Sequence, residues 1–169
     1  MLFIWLLLYS LASAQLVTFE ENHWDPNSVI GGQGTVGDFL FTSDGIMATN
    51  YGFAGNYNGV SLYCYYGFNN TTEISVKHVN GSLFRINSIS TYQVSEKSTD
   101  TLFVQGYFND ILIYEKKYYG LYSWQILELN YDNINKLVLK SEGTSLSDYN
   151  YDNFDFYIIS DITNPHLYK

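Results

Sequence analysis

The chain has 169 residues, enough for one domain with a complete hydrophobic core, and it is rich in aromatic residues, with 17 Tyr and 11 Phe. Its net charge of −9 argues against nucleic-acid binding, because displacing the counterions of a phosphate backbone requires a basic face. The single cysteine, Cys64, excludes an internal disulfide, so the core must suffice for stability or a bound metal must help.

The first predicted element is a targeting segment. An apolar run from Leu2 to Leu11 precedes the tripeptide Ala-Ser-Ala, a small-x-small cleavage site that ends at Ala14. The run is shorter than the roughly 20 apolar residues that a membrane-spanning helix needs, and no second apolar span follows. We therefore expect a signal peptide over residues 1–14, one mature domain over residues 15–169, and secretion to the extracellular space or cell wall.

Apolar and polar residues alternate with a period of two through the rest of the chain, and the helical period is nearly absent. In one such segment Ile74 and Val76 share a face, with Ser75 and Lys77 on the other. Eleven candidate strands are predicted in this way, at residues 16–21, 38–43, 45–50, 60–68, 72–79, 83–90, 101–108, 111–119, 123–131, 135–141 and 153–160.

Two short segments between these strands bear on the fold. Asn109-Asp110 separates two alternating runs and predicts a tight hairpin, because both residue types tolerate positive φ. Residues 32–37, GQGTVG, match G-x-G-x-x-G, but a predicted strand follows them where a dinucleotide site requires a helix. We therefore interpret them as a glycine-rich loop. The many short strands predict an all-β domain, an antiparallel β-sandwich of jelly-roll type.

The sequence gives little sign of catalysis. It contains neither a G-x-S-x-G nor an H-E-x-x-H motif, and His23, His78 and His166 are far apart. No spacing singles out the pair of carboxyl groups that a glycosidase needs. These patterns favour a protein that is not an enzyme.

Tyrosines in segments predicted as loops are candidates for a sugar-binding platform. Sugar rings present apolar C–H faces that stack on aromatic rings, while Asn and Asp bind the hydroxyl groups. The candidate ligand-binding residues are Tyr51, Tyr57, Tyr118, Tyr119 and Tyr122. The alternative is that these rings cap the end of the sandwich.

Three sequons for N-glycosylation begin at Asn69, Asn70 and Asn80. All three fall in polar stretches between strand-like segments, where a glycan is tolerated. Their use requires a eukaryotic source.

Several segments occur in a familiar order: TFEE (18–21), NGSLFRINSIS (80–90), TLFVQGYFNDILIYEKK (101–117), SWQILELNYDNINKLVLKSEG (123–143) and YDNFDFYI (151–158). In this order, which covers nearly the whole mature chain, the sequence resembles the galactose-binding-like jelly roll of carbohydrate-binding modules and of secreted cell-wall or coat proteins.

The resemblance implies a structural Ca²⁺ held between the first and last strands. A carboxylate of the first strand, here Glu20 or Glu21, would share the ion with Asp152, where a loop is expected to enter the last strand. Ca²⁺ takes 6–8 oxygen ligands, so backbone carbonyls would complete the shell. The alternative is that Asp152-Asn153 only forms an Asx-type turn.

The signal segment, the tyrosine-rich loops and the resemblance to the galactose-binding-like jelly roll predict a secreted, non-catalytic module that binds carbohydrate. Its expected partner is a polysaccharide or glycan. Two alternatives stay open. One is a structural coat protein without a discrete sugar site, because the chain has no obvious pair of exposed tryptophans. The other is a small glycoside-active enzyme.

Overall fold

A computed structural model describes residues 13–19, 29–51, 60–65, 71–93, 101–142 and 149–159. All regular elements in these ranges are β-strands, and none of the described residues forms a helix that could cross a membrane. The strands are β1 (Ser13–Val17), β2 (Val29–Val36), β3 (Phe39–Tyr51), β4 (Val60–Tyr65), β5 (Thr71–His78), β6 (Leu83–Gln93), β7 (Thr101–Phe108), β8 (Ile111–Tyr119), β9 (Gln125–Ile134), β10 (Lys136–Glu142) and β11 (Tyr149–Ile159).

The strands pair antiparallel in two sheets, which the long strand β3 connects. Residues 39–43 of β3 pair with β5 and belong to a front sheet of order β8–β7–β10–β5–β3. Residues 46–51 of β3 pair with β4 and belong to a back sheet of order β3–β4–β11–β6–β9. Strand β2 pairs with β3, and β1 pairs with β11. This arrangement confirms the predicted antiparallel sandwich.

The core lies between the two sheets and contains many aromatic rings. Phe39 of the front sheet stacks on Phe156 of the back sheet, with ring centroids 3.9 Å apart. Phe84 meets both rings edge-on at 5.4 Å. Alternation in the sequence becomes alternation in burial, as in β7, where Leu102 and Val104 are buried.

The first strand extends into the segment expected to be removed. Ser13 and Ala14 pair with Ile158 and Tyr157 of β11, and the expected mature chain begins one residue later, at Gln15. Cleavage after Ala14 would leave Gln15–Val17 to pair with β11. The cleavage site itself stays a prediction.

The prediction of a hairpin is confirmed, and the prediction of a glycine-rich loop is wrong. Asn109 and Asp110 have φ of 48° and 61° and link β7 to β8, as a two-residue hairpin turn requires. Residues 32–36 belong to β2, which pairs with β3 through register irregularities that tolerate several glycines. The dinucleotide fingerprint is still excluded, because Gly37 lies in a turn that leads into strand β3.

Asp152 does not lie at the end of a loop. Strand β11 already begins at Tyr149, and its residues 149–152 pair with β6. Asp152 and Asn153 therefore lie within the strand. Asn153 has a φ of 49°, and the pairing register shifts immediately after Asp152. A β-bulge therefore accommodates the extra residue here, where a loop was expected to enter the last strand.

We predict that Gly106→Ala destabilises the fold. A Cβ at Gly106 would lie 3.0 Å from Tyr131, 3.1 Å from Ile134 and 3.2 Å from Tyr114, all of them side-chain atoms of the packed interior. Overpacking of this kind lowers the free energy of unfolding by about 1–3 kcal/mol.

The matched control is Gly32→Ala, because Gly32 is exposed and its Cβ would meet only a backbone oxygen at 3.6 Å. Urea unfolding should place Gly32→Ala within about 0.5 kcal/mol of the parent. Equal stabilities of the two variants would contradict the packing described around Gly106.

Candidate functional site

The outer surface of the front sheet, called the open face below, is the candidate site. Its side chains occupy the strand positions that alternate with the buried ones, and partners across antiparallel strands point to the same side. The open face includes Leu40, Thr42, Glu73, Ser75, Lys77, Thr101, Phe103, Gln105, Tyr107, Leu112, Glu115, Lys117, Tyr119, Lys136, Lys140 and Glu142. Val138 lies on the same side of β10 but is buried by its neighbours.

Three aromatic rings lie along this face on β7 and β8. Tyr119 is 66% exposed and lies opposite Thr101 on the neighbouring strand, while Phe103 and Tyr107 are half-buried. Phe103 and Tyr107 are four residues apart on β7, which separates them by roughly 13 Å along the strand. The three rings therefore extend over a length suited to an elongated ligand.

Two lysines lie over these rings. The Nζ of Lys117 is 4.9 Å from the centroid of the Phe103 ring, and the Nζ of Lys136 is 4.6 Å from that of Tyr107. The negative face of an aromatic ring attracts a cation at such distances. The ammonium groups are thus held beside the ring faces, on the outer side of the sheet.

A chain of hydrogen bonds connects the polar groups of the face. The Tyr107 hydroxyl donates to Gln105 Oε1 at 3.0 Å, and Gln105 Nε2 donates to Glu115 Oε2 at 2.8 Å. Lys117 forms an ion pair with the other oxygen of Glu115 at 3.5 Å. The hydrogen bond from Gln105, with a smaller contribution from Lys117, lowers the pKa of Glu115, which keeps that carboxylate ionised.

The positive charges of the face are balanced locally. Lys140 pairs with Glu142 at 2.5 Å, an interaction that raises the pKa of Lys140. Lys136 bonds Asp110 at 2.7 Å and thereby lowers the pKa of the Asp110 carboxyl, to which Lys77 adds a smaller effect. The open face therefore presents donors and acceptors without a large excess of either charge.

A depression lies at the end of the face next to Tyr107. Asn109 and Asn135 form a reciprocal pair there, in which the Asn109 backbone N–H and the Asn135 side-chain amide each donate, at 3.1 and 3.0 Å. The depression has a volume of about 360 Å³ and is lined by Lys77, His78, Gly81, Asn109, Asp110, Asn135 and Lys136.

The predicted tyrosines separate in the structure. Tyr118 and Tyr119 lie at the end of strand β8 and not in a loop, which agrees with the strand predicted at residues 111–119. As neighbours in a strand they point to opposite sides. Tyr118 packs against the core, and its burial raises its pKa. Tyr119 lies on the open face, and Tyr122, 39% exposed, follows β8. The side chain of Tyr51, at the end of β3, and all of Tyr57 lie outside the described residues.

Phe103, Gln105 and Tyr107 were missed as site residues, although their position was predictable. The alternation of β7 places them opposite Leu102 and Val104, which are buried. A search for aromatic residues on the outer positions of strands, and not only in loops, would have found them.

The remaining predicted positions are described only in part. Asp152 is completely buried, whereas Glu20 and Glu21 lie outside the described residues. Among the residues that the structure describes, no three His, Cys, Asp or Glu side chains cluster as a metal site would require. Asn80 is exposed in the turn between β5 and β6, and Asn69 and Asn70 fall outside the described ranges.

Several solved structures of carbohydrate-binding modules are similar to this chain. A family 29 module matches with a TM-score of 0.56 at 13% identity, over 86% of this chain and 88% of the module. The CBM22-1 xylan-binding domain of Paenibacillus barcinonensis Xyn10C matches with a TM-score of 0.47 at 14% identity, over 89% and 97%. A family 61 module solved with β-1,4-galactotriose matches with a TM-score of 0.46 at 10% identity, over 78% and 98%.

No protein-family model matches the sequence, and neither does any curated protein. At these identities the structural likeness establishes the fold alone. The jelly roll of carbohydrate-binding modules, which the sequence resembles, is the fold of this chain.

We predict that Gln105→Ala raises the pKa of Glu115. The hydrogen bond from Gln105 is the main cause of the lowered value, so its loss should return the carboxyl towards its ordinary pKa. Nuclear magnetic resonance titration of the ¹³C-labelled carboxyl group would measure the change. Lys117→Ala should give a smaller rise, and a larger rise in that variant would show that charge, not the hydrogen bond, dominates.

Proposed function

We propose that the chain is a secreted, non-catalytic module that binds a neutral polysaccharide along the open face, in an extracellular wall or matrix. The observation that carries this proposal is the line of Tyr119, Phe103 and Tyr107 rings beside polar groups already connected by hydrogen bonds. The apolar segment Leu2–Leu11 supports the proposed secretion.

The aromatic rings would bind the apolar faces of sugar rings. Tyr and Phe offer large, rigid surfaces that lose little conformational entropy on binding. The lysines over Phe103 and Tyr107 have flexible four-carbon stems, so each ammonium group can move aside and donate to a sugar hydroxyl. The C–H face of a sugar ring would then take the place of the ammonium group on the aromatic ring.

The hydrogen-bonded groups would bind the hydroxyls. Gln105 is held between Tyr107 and Glu115, and Thr42 Oγ1 lies 2.7 Å from Ser75 Oγ. Groups ordered before binding lose less entropy when the ligand arrives, which favours affinity. The face thus offers oriented donors and acceptors next to the proposed stacking positions.

The charge balance of the face supports a neutral ligand. Lys117, Lys136 and Lys140 each have a carboxylate partner, so an acidic polysaccharide would gain little net attraction. Binding of a neutral chain should depend weakly on salt, because screening acts on interactions between charges.

Glu115 on the open face and Asp110 beside it are not suited to act as the acid of a glycosidase. Glycoside hydrolysis needs one carboxyl group that stays protonated as the general acid, which requires a raised pKa. The shifts of Glu115 and Asp110 are both downward, because hydrogen-bond donors stabilise their ionised forms.

The test is a glycan array and a polysaccharide pull-down with the parent and with ring-deletion variants. Phe103→Ala and Tyr107→Ala should each weaken binding about tenfold, or about 1.4 kcal/mol, through loss of stacking. Ile126→Ala is the control, because Ile126 is 67% exposed on the back sheet, away from the open face.

Each outcome of this screen is informative. Retention on no polysaccharide would reject sugar binding and favour the structural coat protein. Release of reducing sugar on the same panel would favour a glycoside-active enzyme. Equal loss in Ile126→Ala and the ring-deletion variants would reject the open face as the site.

We also propose a structural Ca²⁺ bound by Asp152 together with Glu20 or Glu21. Asp152 is completely buried, and an ionised carboxylate in such surroundings requires hydrogen bonds, a cation or both. Strand β1 runs antiparallel to β11, with Val17 opposite Phe154, so the chain leaves β1 towards the level of Asp152. Asn150 is also buried, and its Oδ1 accepts a hydrogen bond from Ser61 at 3.1 Å, which adds oxygen atoms to the same part of β11.

Thermal melts test this site. A ligand at a hundred times its Kd adds about 2.7 kcal/mol to the free energy of unfolding, so millimolar Ca²⁺ should raise Tm by about 5–10 °C over chelator. Asp152→Asn keeps the shape of the side chain and should remove the difference. Asp155→Asn is the control on the same strand, because Asp155 is half-buried and accepts from Asn87. Coinciding melts of the parent in Ca²⁺ and in chelator would leave the Ca²⁺ site without support.

A further inference from the structure

The outer surface of the back sheet carries a groove that is separate from the open face. Its volume is about 400 Å³, within the roughly 300–1,000 Å³ of small-ligand sites. The groove is lined by Arg85 and Asn87 of β6, Asp132 of β9, and Tyr157 and Ile159 of β11. Three adjacent strands thus build it, so its lining rests on a rigid sheet.

Tyr157 and Arg85 form the centre of the groove. They lie directly opposite each other on paired strands, so their side chains point to the same side. The Tyr157 side chain is 37% exposed, and Arg85 is the single arginine of the chain. An exposed ring next to a planar group with five N–H donors offers both stacking and hydrogen bonding.

Neighbouring residues hold the polar groups of the groove in position. Arg85 Nη2 donates to Asn130 Oδ1 at 3.1 Å, and Asn87 Nδ2 donates to Asp155 Oδ2 at 2.9 Å.

We propose that this groove is a second sugar-binding site, which takes one neutral sugar unit with its ring stacked on Tyr157. Arg85 donates to the hydroxyl groups and Asp132 accepts from them. The carboxylate of Asp132 offsets the charge of Arg85 within the groove, which selects against charged sugars. The inference rests on the proposed function, because it assigns the same class of ligand to a second surface.

Two sites on opposite sheets have a consequence for the module. A single polysaccharide chain lies along one surface, so sites on both surfaces would connect two chains. Such bivalent attachment raises the overall affinity for an insoluble polysaccharide above that of either site alone. The module would then cross-link a wall or matrix as well as attach to it.

Titration with mannohexaose and with β-1,4-galactotriose tests the second site. Isothermal calorimetry of the parent should give two sugars per chain, and the double variant Phe103→Ala/Tyr107→Ala should retain one. In that background Tyr157→Ala should weaken the remaining binding at least tenfold, while Tyr157→Phe should retain it. Leu16→Ala is the control, because Leu16 is 62% exposed on the adjacent strand β1 and does not line the groove.

Nuclear magnetic resonance separates the failure of this inference from the failure of the proposed function. If the sugar changes chemical shifts at the open face but not at Arg85 or Tyr157, and one sugar binds per chain, the second site is overturned and the open face is kept. Shifts confined to Arg85 and Tyr157 would overturn the open face and keep the groove. Absence of shifts at both surfaces with both sugars would overturn the groove as a site for these neutral sugars. Urea unfolding of each variant checks that lost binding does not reflect lost folding.

Discussion

The stack of Phe39 on Phe156 is the contact on which the sandwich depends, because it joins the two sheets. The rings lie 3.9 Å apart at 18° to each other, and Phe84 fixes both from the side. Removal of a buried Phe side chain costs about 3–5 kcal/mol, a large part of a total stability of about 5–15 kcal/mol. The inner surfaces of the two sheets meet at this stack, so the opposite surface of each sheet faces the solvent.

The fold was predictable where it depends on local alternation. Ile74 and Val76 share one face of β5 as predicted, and that face is buried. Asn109-Asp110 forms the predicted hairpin. Both features are decided by neighbouring residues. The passage of β3 from one sheet to the other was not predictable, since its two halves pair with two different strands, β5 and β4, and no local pattern in β3 specifies both partners. Residues 32–36, predicted as a loop, form a strand because they pair with the next strand, β3, across the turn at residues 37–38.

The candidate site was predictable only in part, because sugar-stacking residues were expected in loops. Tyr119 lies on the open face as a candidate, but Tyr118 next to it packs against the core, since adjacent residues of a strand face opposite sides. Phe103 lies opposite Lys117, and Tyr107 lies opposite Lys136. These neighbours can be identified only when the register between the strands is known. Cross-strand pairs of this kind leave no spacing signal in the sequence.

The distribution of charge connects the two surfaces with the composition of the whole chain. Lys77, Lys117, Lys136 and Lys140 lie on the open face and make up half of the 8 Lys and Arg residues, although the net charge is −9. Carboxylates balance these lysines locally, so the excess negative charge belongs to the rest of the molecule. The field of that excess repels acidic polymers at long range, while the open face offers an uncharged chain aromatic rings and oriented donors. Selectivity for neutral polysaccharides would thus arise from the whole acidic surface, and affinity from the face itself.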